Sequence, residues 1–398
     1  MTSTLVLDWI SLLTRWVHFT AGIAWIGSSF YFIWVDRNLA PPSAAKPGVE
    51  GELWMVHSGG FYQLEKRRVG PGDMPPVLHW FKWEAALTWA SGVVLLVVVY
   101  YLTGGAYLVD PAVSALSANE ATLLSVGLLV VGWFVYDAIW RSSLARTGWP
   151  AVALSLALLG GVVFGLFHAL SARAAYIHVG ALLGSLMVAN VWAVILPAQQ
   201  KMIDATRSGE QPDYSVGEGA KRRSVHNSYM TLPVLFTMLS SHFPQTYGIP
   251  LGWLVLLLLM AGGALARHVM ISRSPRRRWA LAPMTACLLA SVVLATPRTA
   301  RLTADAGATS AAVPFGAARV VINARCLACH SAYPVDKMFT AAPNGVMFDT
   351  PEQIVRLAAR IRERAVVQRT MPFANKTGIT DAERETLRRW IDTGARLP

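Results

Sequence analysis

The run AYIHVGALLGSLMVANVWAVILP at residues 175–197 contains 23 residues without a single Asp, Glu, Lys or Arg. A helix of about 20 apolar residues is long enough to cross the hydrocarbon core of a bilayer. Seven more apolar runs lie at 12–35, 84–102, 121–140, 150–170, 229–242, 249–268 and 279–296. The sequence therefore predicts an all-α fold, a polytopic helical bundle with about eight transmembrane helices in a lipid bilayer.

The composition excludes an ordinary soluble protein. Hydrophobic residues make up 54% of the 398 residues and charged residues 15%, whereas soluble domains average about 25% charged residues. The net charge of +12 is explained by the basic loops of a membrane protein. We therefore expect no nucleic-acid partner.

Lys and Arg residues predict the orientation. The loops at one end of the bundle hold eighteen of them, whereas the alternate loops hold only Arg173. The basic loops are 36–83, 141–149, 198–228 and 267–278. Basic loops stay in the cytoplasm, so both chain ends are predicted to face the periplasm of a bacterial inner membrane. The first run lacks a basic n-region and a cleavage site, so it is predicted to remain as a helix.

After the last apolar run, the motif Cys326-Leu327-Ala328-Cys329-His330 is typical of covalent c-type haem attachment. Its two thiols add to the haem vinyl groups, and His330 supplies the fifth ligand of the iron. A zinc half-site or a redox dithiol would need a second Cys/His pair or a thioredoxin-like context, and the sequence has neither. We expect one covalent haem c, on the periplasmic side.

The tail around this motif has the parts of a class I cytochrome c domain. Residues 1–297 are predicted to form the membrane domain, 298–313 a linker and 314–398 the cytochrome domain, with helices at about 315–329, 351–366 and 381–394. Met371, on a loop before the last helix, is the predicted sixth iron ligand, because a thioether there raises the reduction potential. Met338 and Met347 are rivals, and a core methionine is the alternative.

Two histidines within apolar runs are candidate haem ligands, because an ionisable side chain in a membrane is costly unless it is bound or paired. His18 lies three residues after Arg15, and His178 five residues after Arg173. Aligning the two histidines suggests a 4+4 repeat of parallel halves, which would place both imidazoles at one depth as axial ligands of a haem b. Arg15 or Arg173 would pair with its propionates. The alternative is that each histidine is a packing residue.

Further ionisable groups lie at the ends of the apolar runs. Glu84 and Asp137 are candidate proton acceptors, and each has the alternative of a structural ion pair with Arg or Lys. His168 and His242, at the outer ends of their runs, are substitute haem ligands, with interfacial packing as the alternative. His79 and His226, at the cytoplasmic end, are candidate ligands of a second haem or candidate substrate contacts.

Three segments carry a resemblance to a known family: RWVHFTAGIAWIG at 15–27, GELWMVHSGGFY at 51–62 and HWFKWE at 79–84. They resemble the bacterial membrane-bound urate oxidase, or urate hydroxylase, family, which joins an eight-span domain to a C-terminal cytochrome c. The resemblance implies oxidation of urate to 5-hydroxyisourate, with electrons passed to cytochrome c and no hydrogen peroxide formed. The first segment is also similar to membrane proteins that bind haem b, which favours His18 as a ligand.

A site for a planar anion needs cationic donors and aromatic faces, and the loop between residues 52 and 84 offers both. Its cations and rings are Lys66, Arg67, Arg68, Lys82, Trp54, Phe61, Tyr62, Trp80 and Trp83. The alternative is ordinary positive loop charge with interfacial aromatics. His57, in a Gly-flanked loop of the most specific segment, is the first candidate for catalysis, together with His79, Lys82 and Glu84.

The predicted function is urate oxidation in the membrane domain, with electrons passed to haem c and on to a soluble cytochrome c or a terminal oxidase. The competing hypothesis is a non-enzymatic b/c-type subunit that relays electrons between quinol and a partner dehydrogenase. A transporter with a redox sensor is disfavoured, because the apolar runs have few paired charges and no Met-rich motif.

Overall fold

The computed structural model describes residues 3–44, 46–71, 73–111, 113–272, 274–296, 313–336, 338–339 and 341–397. Each of the eight predicted apolar runs lies mainly within a helix, because lipid offers the backbone no hydrogen-bond partner outside its own helix. The helices are Ser3–Asn38 (α1), Trp83–Leu96 (α2), Ala118–Arg141 (α3), Leu144–Thr147 (α4), Trp149–Ala169 (α5), Ala172–Ala189 (α6), Leu196–Arg207 (α7), Tyr214–Leu239 (α8), Gly252–Ile271 (α9) and Leu281–Ala295 (α10).

Six helical segments of the described chain are long and apolar enough to cross a membrane: 83–101, 118–141, 149–169, 172–207, 252–271 and 276–295. The predicted all-α polytopic fold is confirmed. The other two predicted runs lie in α1 and α8, which are 36 and 26 residues long but more polar. The count of eight spans therefore stays a prediction.

Two helices continue through π-helical segments. Val97–Tyr101 extends α2, and Asn190–Ile195 joins α6 to α7 as one helix over residues 172–207. A π-helical turn is rare and often occurs at functional sites. The first segment carries tyrosines that contact His178, and the second carries the buried amide of Asn190.

Helix α6 is the centre of the bundle. Its side chains pack in one core cluster with residues of α3, α5, α8 and α9. It packs tightly on α8 at Gly180, where an added Cβ would overlap the side chain of Thr237 and lie 2.8 Å from its Cβ atom. The small residue therefore sets the distance between α6 and α8.

A two-stranded antiparallel hairpin, absent from the all-α prediction, lies between α1 and α2. Strands Val49–His57 (β1) and Gly60–Arg67 (β2) pair with His57 opposite Gly60. The two-residue turn, Ser58 and Gly59, has φ angles of 49° and 76°, as expected for a tight hairpin turn. We call this end of the bundle the hairpin end and the opposite end the tail end.

The tail has its own core. Its helices are Phe315–Arg325 (α11), Pro351–Arg356 (α12), Ala358–Ile361 (α13) and Asp381–Asp392 (α14). Phe315 of α11 packs on Trp390 of α14, with 5.7 Å between the ring centroids. The predicted first helix to residue 329 was too long, since it ends at Arg325, before a turn that positions Cys326. The helix predicted at 351–366 is divided at Leu357. Of the predicted linker, residues 298–312 lie outside the described residues.

We expect Gly180→Ala to destabilise the bundle, because the new methyl group would force α6 and α8 apart. Overpacking of this kind costs about 1–3 kcal/mol. Gly184→Ala, one turn away, is the matched control, since an added Cβ there meets no atom within 4 Å. The measurement is the thermal unfolding midpoint in detergent by circular dichroism. Equal midpoints for the two variants would contradict the prediction.

Candidate functional site

A cavity of about 410 Å³ lies at the hairpin end between α1, α8 and the π-helical segment that joins α6 to α7. Its lining combines aromatic rings with hydroxyl, amide, carboxylate and imidazole groups. The aromatic residues are Trp25, Phe32, Trp80 and Phe81, and the polar residues are Ser28, Ser29, Asp36, His79, Gln199, Ser224, Asn227 and Thr231. The arrangement suits a planar polar ligand, because aromatic faces and a few polar groups together determine its orientation.

His79 is the predicted catalytic residue that lines this cavity. It lies in the segment between β2 and α2, where Phe81 packs edge-to-face on Phe32 of α1 with 5.0 Å between ring centroids. This contact holds the segment against α1. His79 and Trp80 consequently lie at the cavity wall, where an imidazole is available to accept a proton from a bound ligand.

Two other candidates, Lys82 and Glu84, lie at the start of α2 and do not line the cavity. The Lys82 Nζ atom is 5.4, 5.6 and 5.9 Å from the rings of Trp80, Trp83 and Trp192, which makes favourable cation–π contacts. The Glu84 Oε2 atom is buried and has no hydrogen-bond partner among the described residues. Glu84 is therefore an unsatisfied acid at the hairpin end, as a proton acceptor would be.

His57 and the Lys-Arg-Arg run lie on the hairpin. His57 is exposed beside the turn and is not part of the cavity wall. The three cations, expected to bind an anion, are instead joined to carboxylates: Lys66 to Asp36, Arg67 to Glu65 and Arg68 to Glu50. These pairs support the alternative of a charged surface, although the Lys66–Asp36 pair reaches the cavity through Asp36.

Asn227 connects the cavity to a polar network that the sequence analysis missed. Its amide bonds to Asn190, and Asn190 bonds to Arg223, which pairs with Asp137 at 2.6 Å. Arg223 is only 4% exposed. The structural alternative for Asp137 is thus confirmed. The available signal was Asn190, a polar amide inside the apolar run 175–197.

His18 and His178 both contact the helix formed by α2 and its π-helical extension. The His18 Nδ1 atom is 2.9 Å from the Thr88 carbonyl oxygen and 3.1 Å from the Ser91 Oγ atom. The His178 Nε2 atom is 3.2 Å from the Tyr101 hydroxyl. Ser91 and Tyr101 are ten residues apart, a rise of about 15 Å. These contacts do not bring the two imidazoles to one depth, and a shared haem b stays a prediction.

The two arginines predicted to bind propionates have different surroundings. Arg15 Nε donates to the Ser11 hydroxyl on its own helix. The Arg173 guanidinium lies 5.1 Å from the ring of Tyr107 and 5.6 Å from the ring of Phe373, and its Nε atom is buried without a partner among the described residues. Arg173 is therefore part of the contact between the bundle and the tail.

The residues predicted to hold haem c fit that group. His330 Nδ1 lies 2.9 Å from the Val346 carbonyl oxygen, so Nδ1 carries the proton and Nε2 is left as the ligand atom. Burial lowers the pKa of His330, which favours the neutral, ligating form. Cys326 and Cys329 are free thiols, and burial raises the pKa of Cys326 to about 12.

Met371 is held in place by its backbone. Its N–H donates to the Arg364 carbonyl oxygen at 3.0 Å, and its own carbonyl oxygen accepts from Arg384 at 2.9 Å. Its side chain packs against the tail core, as Cys326 does. Met347 follows Val346, the residue whose carbonyl bonds to His330. The choice of Met371 over Met338 and Met347 as the sixth ligand stays a prediction.

The segment that carries Met371 contacts the tail end of the bundle. The rings of Phe373 and Tyr107 are 4.2 Å apart between centroids. An added Cβ at Gly248 would lie 2.7 Å from the Thr370 Cγ2 atom, so the two backbones pack closely. The loop after α2 and the loop before α9 thus both face the Met371 segment.

We expect Met371→Ala to lower the reduction potential of the predicted haem c and to change its absorption spectrum, because the iron would lose a thioether ligand. Met338→Ala and Met347→Ala are the matched controls and should leave both properties unchanged. Spectroelectrochemical titration of the purified protein makes the measurement. An unchanged potential in Met371→Ala would exclude Met371 as the sixth ligand.

Residues 4–297, which cover the whole bundle, match the family model described as Urate oxidase N-terminal. The match ends before the tail. No curated protein and no solved structure matches the chain.

Proposed function

Because the chain belongs to the urate oxidase N-terminal family, we propose that it oxidises urate in the cavity at the hairpin end. The reaction adds the oxygen of one water to urate and removes two electrons and two protons, which gives 5-hydroxyisourate. The electrons leave through haem c in the tail, and no hydrogen peroxide is formed. A soluble cytochrome c or a terminal oxidase accepts them.

The cavity is the observation that carries this proposal. Its volume of about 410 Å³ is within the usual range for small-molecule sites, about 300–1,000 Å³. Trp25, Phe32 and Trp80 offer faces for a flat ring, and Ser29, Asn227 and other polar groups offer hydrogen bonds to its edges. Urate, a flat ring system with N–H and C=O groups around its edge, suits such a lining.

His79 is the residue to which we assign proton transfer. It is the imidazole in the cavity wall, and histidine is the side chain that most often moves protons near neutral pH. The reaction releases two protons, so a base beside the ring is required. Glu84, with its buried and unsatisfied Oε2 atom, is the second candidate. For His57, the support for a catalytic role comes only from the sequence segment 51–62 in which it lies.

The contact between the tail and the bundle supports electron transfer within one chain. Haem c, when bound, accepts one electron at a time. Cys326 and Cys329 would hold it covalently, with His330 and Met371 as iron ligands. The Met371 segment lies against Tyr107 through Phe373, and a fixed contact keeps the electron-transfer distance constant.

A haem b in the bundle remains part of the proposal. The His18 Nδ1 atom bonds to the Thr88 carbonyl oxygen, which leaves Nε2 free as in metal-ligating histidines. His178 would have to release its contact with the Tyr101 hydroxyl to serve as the second ligand. Arg15 and Arg173 remain candidates for the propionates. We also propose that the protein lies in a bacterial inner membrane with the tail in the periplasm.

Anaerobic mixing of urate with the purified full-length protein tests this function. We expect urate to reduce haem c, since the site and the electron acceptor are in one chain. Absorbance of the reduced haem is the readout, and dithionite defines complete reduction. A variant with both Cys326→Ala and Cys329→Ala is the control and should show no such signal. Reduction by dithionite but not by urate would favour a relay between quinol and a dehydrogenase.

A second test distinguishes His79 from His57 as the residue that transfers a proton. We expect His79→Ala to lower kcat for urate by about 10²–10⁴-fold, the usual contribution of a positioned acid or base. His57→Ala is the matched control on the exposed hairpin and should keep near-normal kcat. Both are measured as urate-dependent haem reduction, with haem content determined for each variant. The reverse order of effects would move proton transfer from the cavity to the hairpin.

A further inference from the structure

The amide of Asn227 is fixed in one orientation. Its Nδ2 donates to the Met187 carbonyl oxygen at 2.9 Å, and its Oδ1 accepts from Asn190 Nδ2 at 2.9 Å. The Asn190 Oδ1 atom in turn lies 3.5 Å from Arg223 Nη1. A guanidinium can only donate and a carbonyl can only accept. The direction of each hydrogen bond between Met187, Asn227, Asn190 and Arg223 is therefore determined.

The buried Arg223 and the half-buried Tyr136 hold the far end of the network. Arg223 bonds to the Asp137 Oδ1 atom at 2.6 Å and lies 4.8 Å from the ring of Tyr136. The Tyr136 hydroxyl accepts from Asn190 at 3.2 Å and lies 2.7 Å from the His226 Nδ1 atom. Asn190 is fully buried. Asn227 therefore reaches the cavity from a rigid support in α3, α6 and α8, as a preorganised binding group requires.

The Asn227 amide retains unused hydrogen-bonding capacity. A primary amide has two N–H donors and two lone pairs on its oxygen. Asn227 uses one N–H for Met187 and one lone pair for Asn190. One donor and one acceptor therefore remain on a residue that lines the cavity. A donor and an acceptor on one amide are complementary to an N–H group next to a C=O group on a ligand.

We propose that Asn227 forms a subsite for one cyclic-amide edge of the substrate, with its Oδ1 accepting from a ring N–H and its Nδ2 donating to the adjacent carbonyl oxygen. The inference rests on the proposed function and deepens it. The substrate class is a planar lactam, and urate is one. Asn190, Arg223 and Asp137 are positioning residues, because they act through Asn227.

The subsite predicts a specific pattern of discrimination. A site built to bond a ligand N–H rejects an analogue that lacks it, because its own polar groups are left unpaired. Methylation of one ring nitrogen removes that N–H. Among the monomethylated urates, we expect one to bind the wild-type protein at least about tenfold more weakly than urate, which corresponds to one lost hydrogen bond.

The experiment compares dissociation constants of urate and each monomethylurate for the wild-type protein, Asn227→Ala and Ser228→Ala. Equilibrium dialysis is done anaerobically with dithionite present, so that no turnover occurs. For each monomethylurate, the ratio of its dissociation constant to that of urate is compared between proteins. For the analogue that binds the wild-type protein weakly, we expect this ratio to fall to about one in Asn227→Ala, with the ratios of the other analogues unchanged. Ser228→Ala, a buried neighbour outside the cavity wall, is the control and should keep every ratio.

The possible outcomes distinguish a failure of the subsite from a failure of the proposed function. If all ratios in Asn227→Ala stay as in the wild-type protein, or change together, the subsite is contradicted even though urate turns over. If urate binds with the expected ratios but is not oxidised, the proposed function fails and the subsite stands. If the wild-type protein does not bind urate at all, both are wrong.

Discussion

The structure depends on one constraint of the bilayer, which is that polar groups inside it need partners within the protein. The backbone meets this constraint by forming helices. Many polar side chains of the bundle meet it by pairing with one another, as Arg223 does with Asp137, whereas the Glu84 Oε2 and Arg173 Nε atoms are buried without a partner among the described residues. Removing one partner of a buried ion pair typically costs about 3–5 kcal/mol, so this pair holds α3 against α8 at the hairpin end. The candidate cavity lies next to this network, because Asn227 lines the cavity and is linked to Arg223 through Asn190.

The helices could be predicted from sequence because a run of about 20 apolar residues is a strong signal. Residues 175–197 lie within the helical segment 172–207, and that helix is the most buried of the candidate spans. The hairpin was missed because its segment was interpreted by charge and aromatic content alone. The available signal was the Ser58-Gly59-Gly60 turn between two segments rich in aromatic and branched residues. In the tail, residue 381 was the right start for the last helix, and Thr380 caps it.

The candidate site was only partly predictable, since its residues come from distant parts of the chain. His79 could be found from its segment, whereas the roles of Asn190 and Asn227 depend on contacts between helices. The depths of His18 and His178 in the membrane were inferred from the ends of apolar runs. Helix α1 extends over 36 residues, beyond the apolar run 12–35, so the ends of that run do not give the depth of His18. Charge alone also misled, because one carboxylate of α1 and two of the hairpin pair with the three cations of the run 66–68.

The proposed function assigns substrate chemistry to the cavity at the hairpin end and electron exit to the tail at the other end. The most direct test of this account is the electron balance in air, with ferricytochrome c added as acceptor. The account predicts two ferricytochrome c molecules reduced for each urate consumed, with no hydrogen peroxide detected. One hydrogen peroxide formed for each urate, with the added cytochrome c left oxidised, would contradict it.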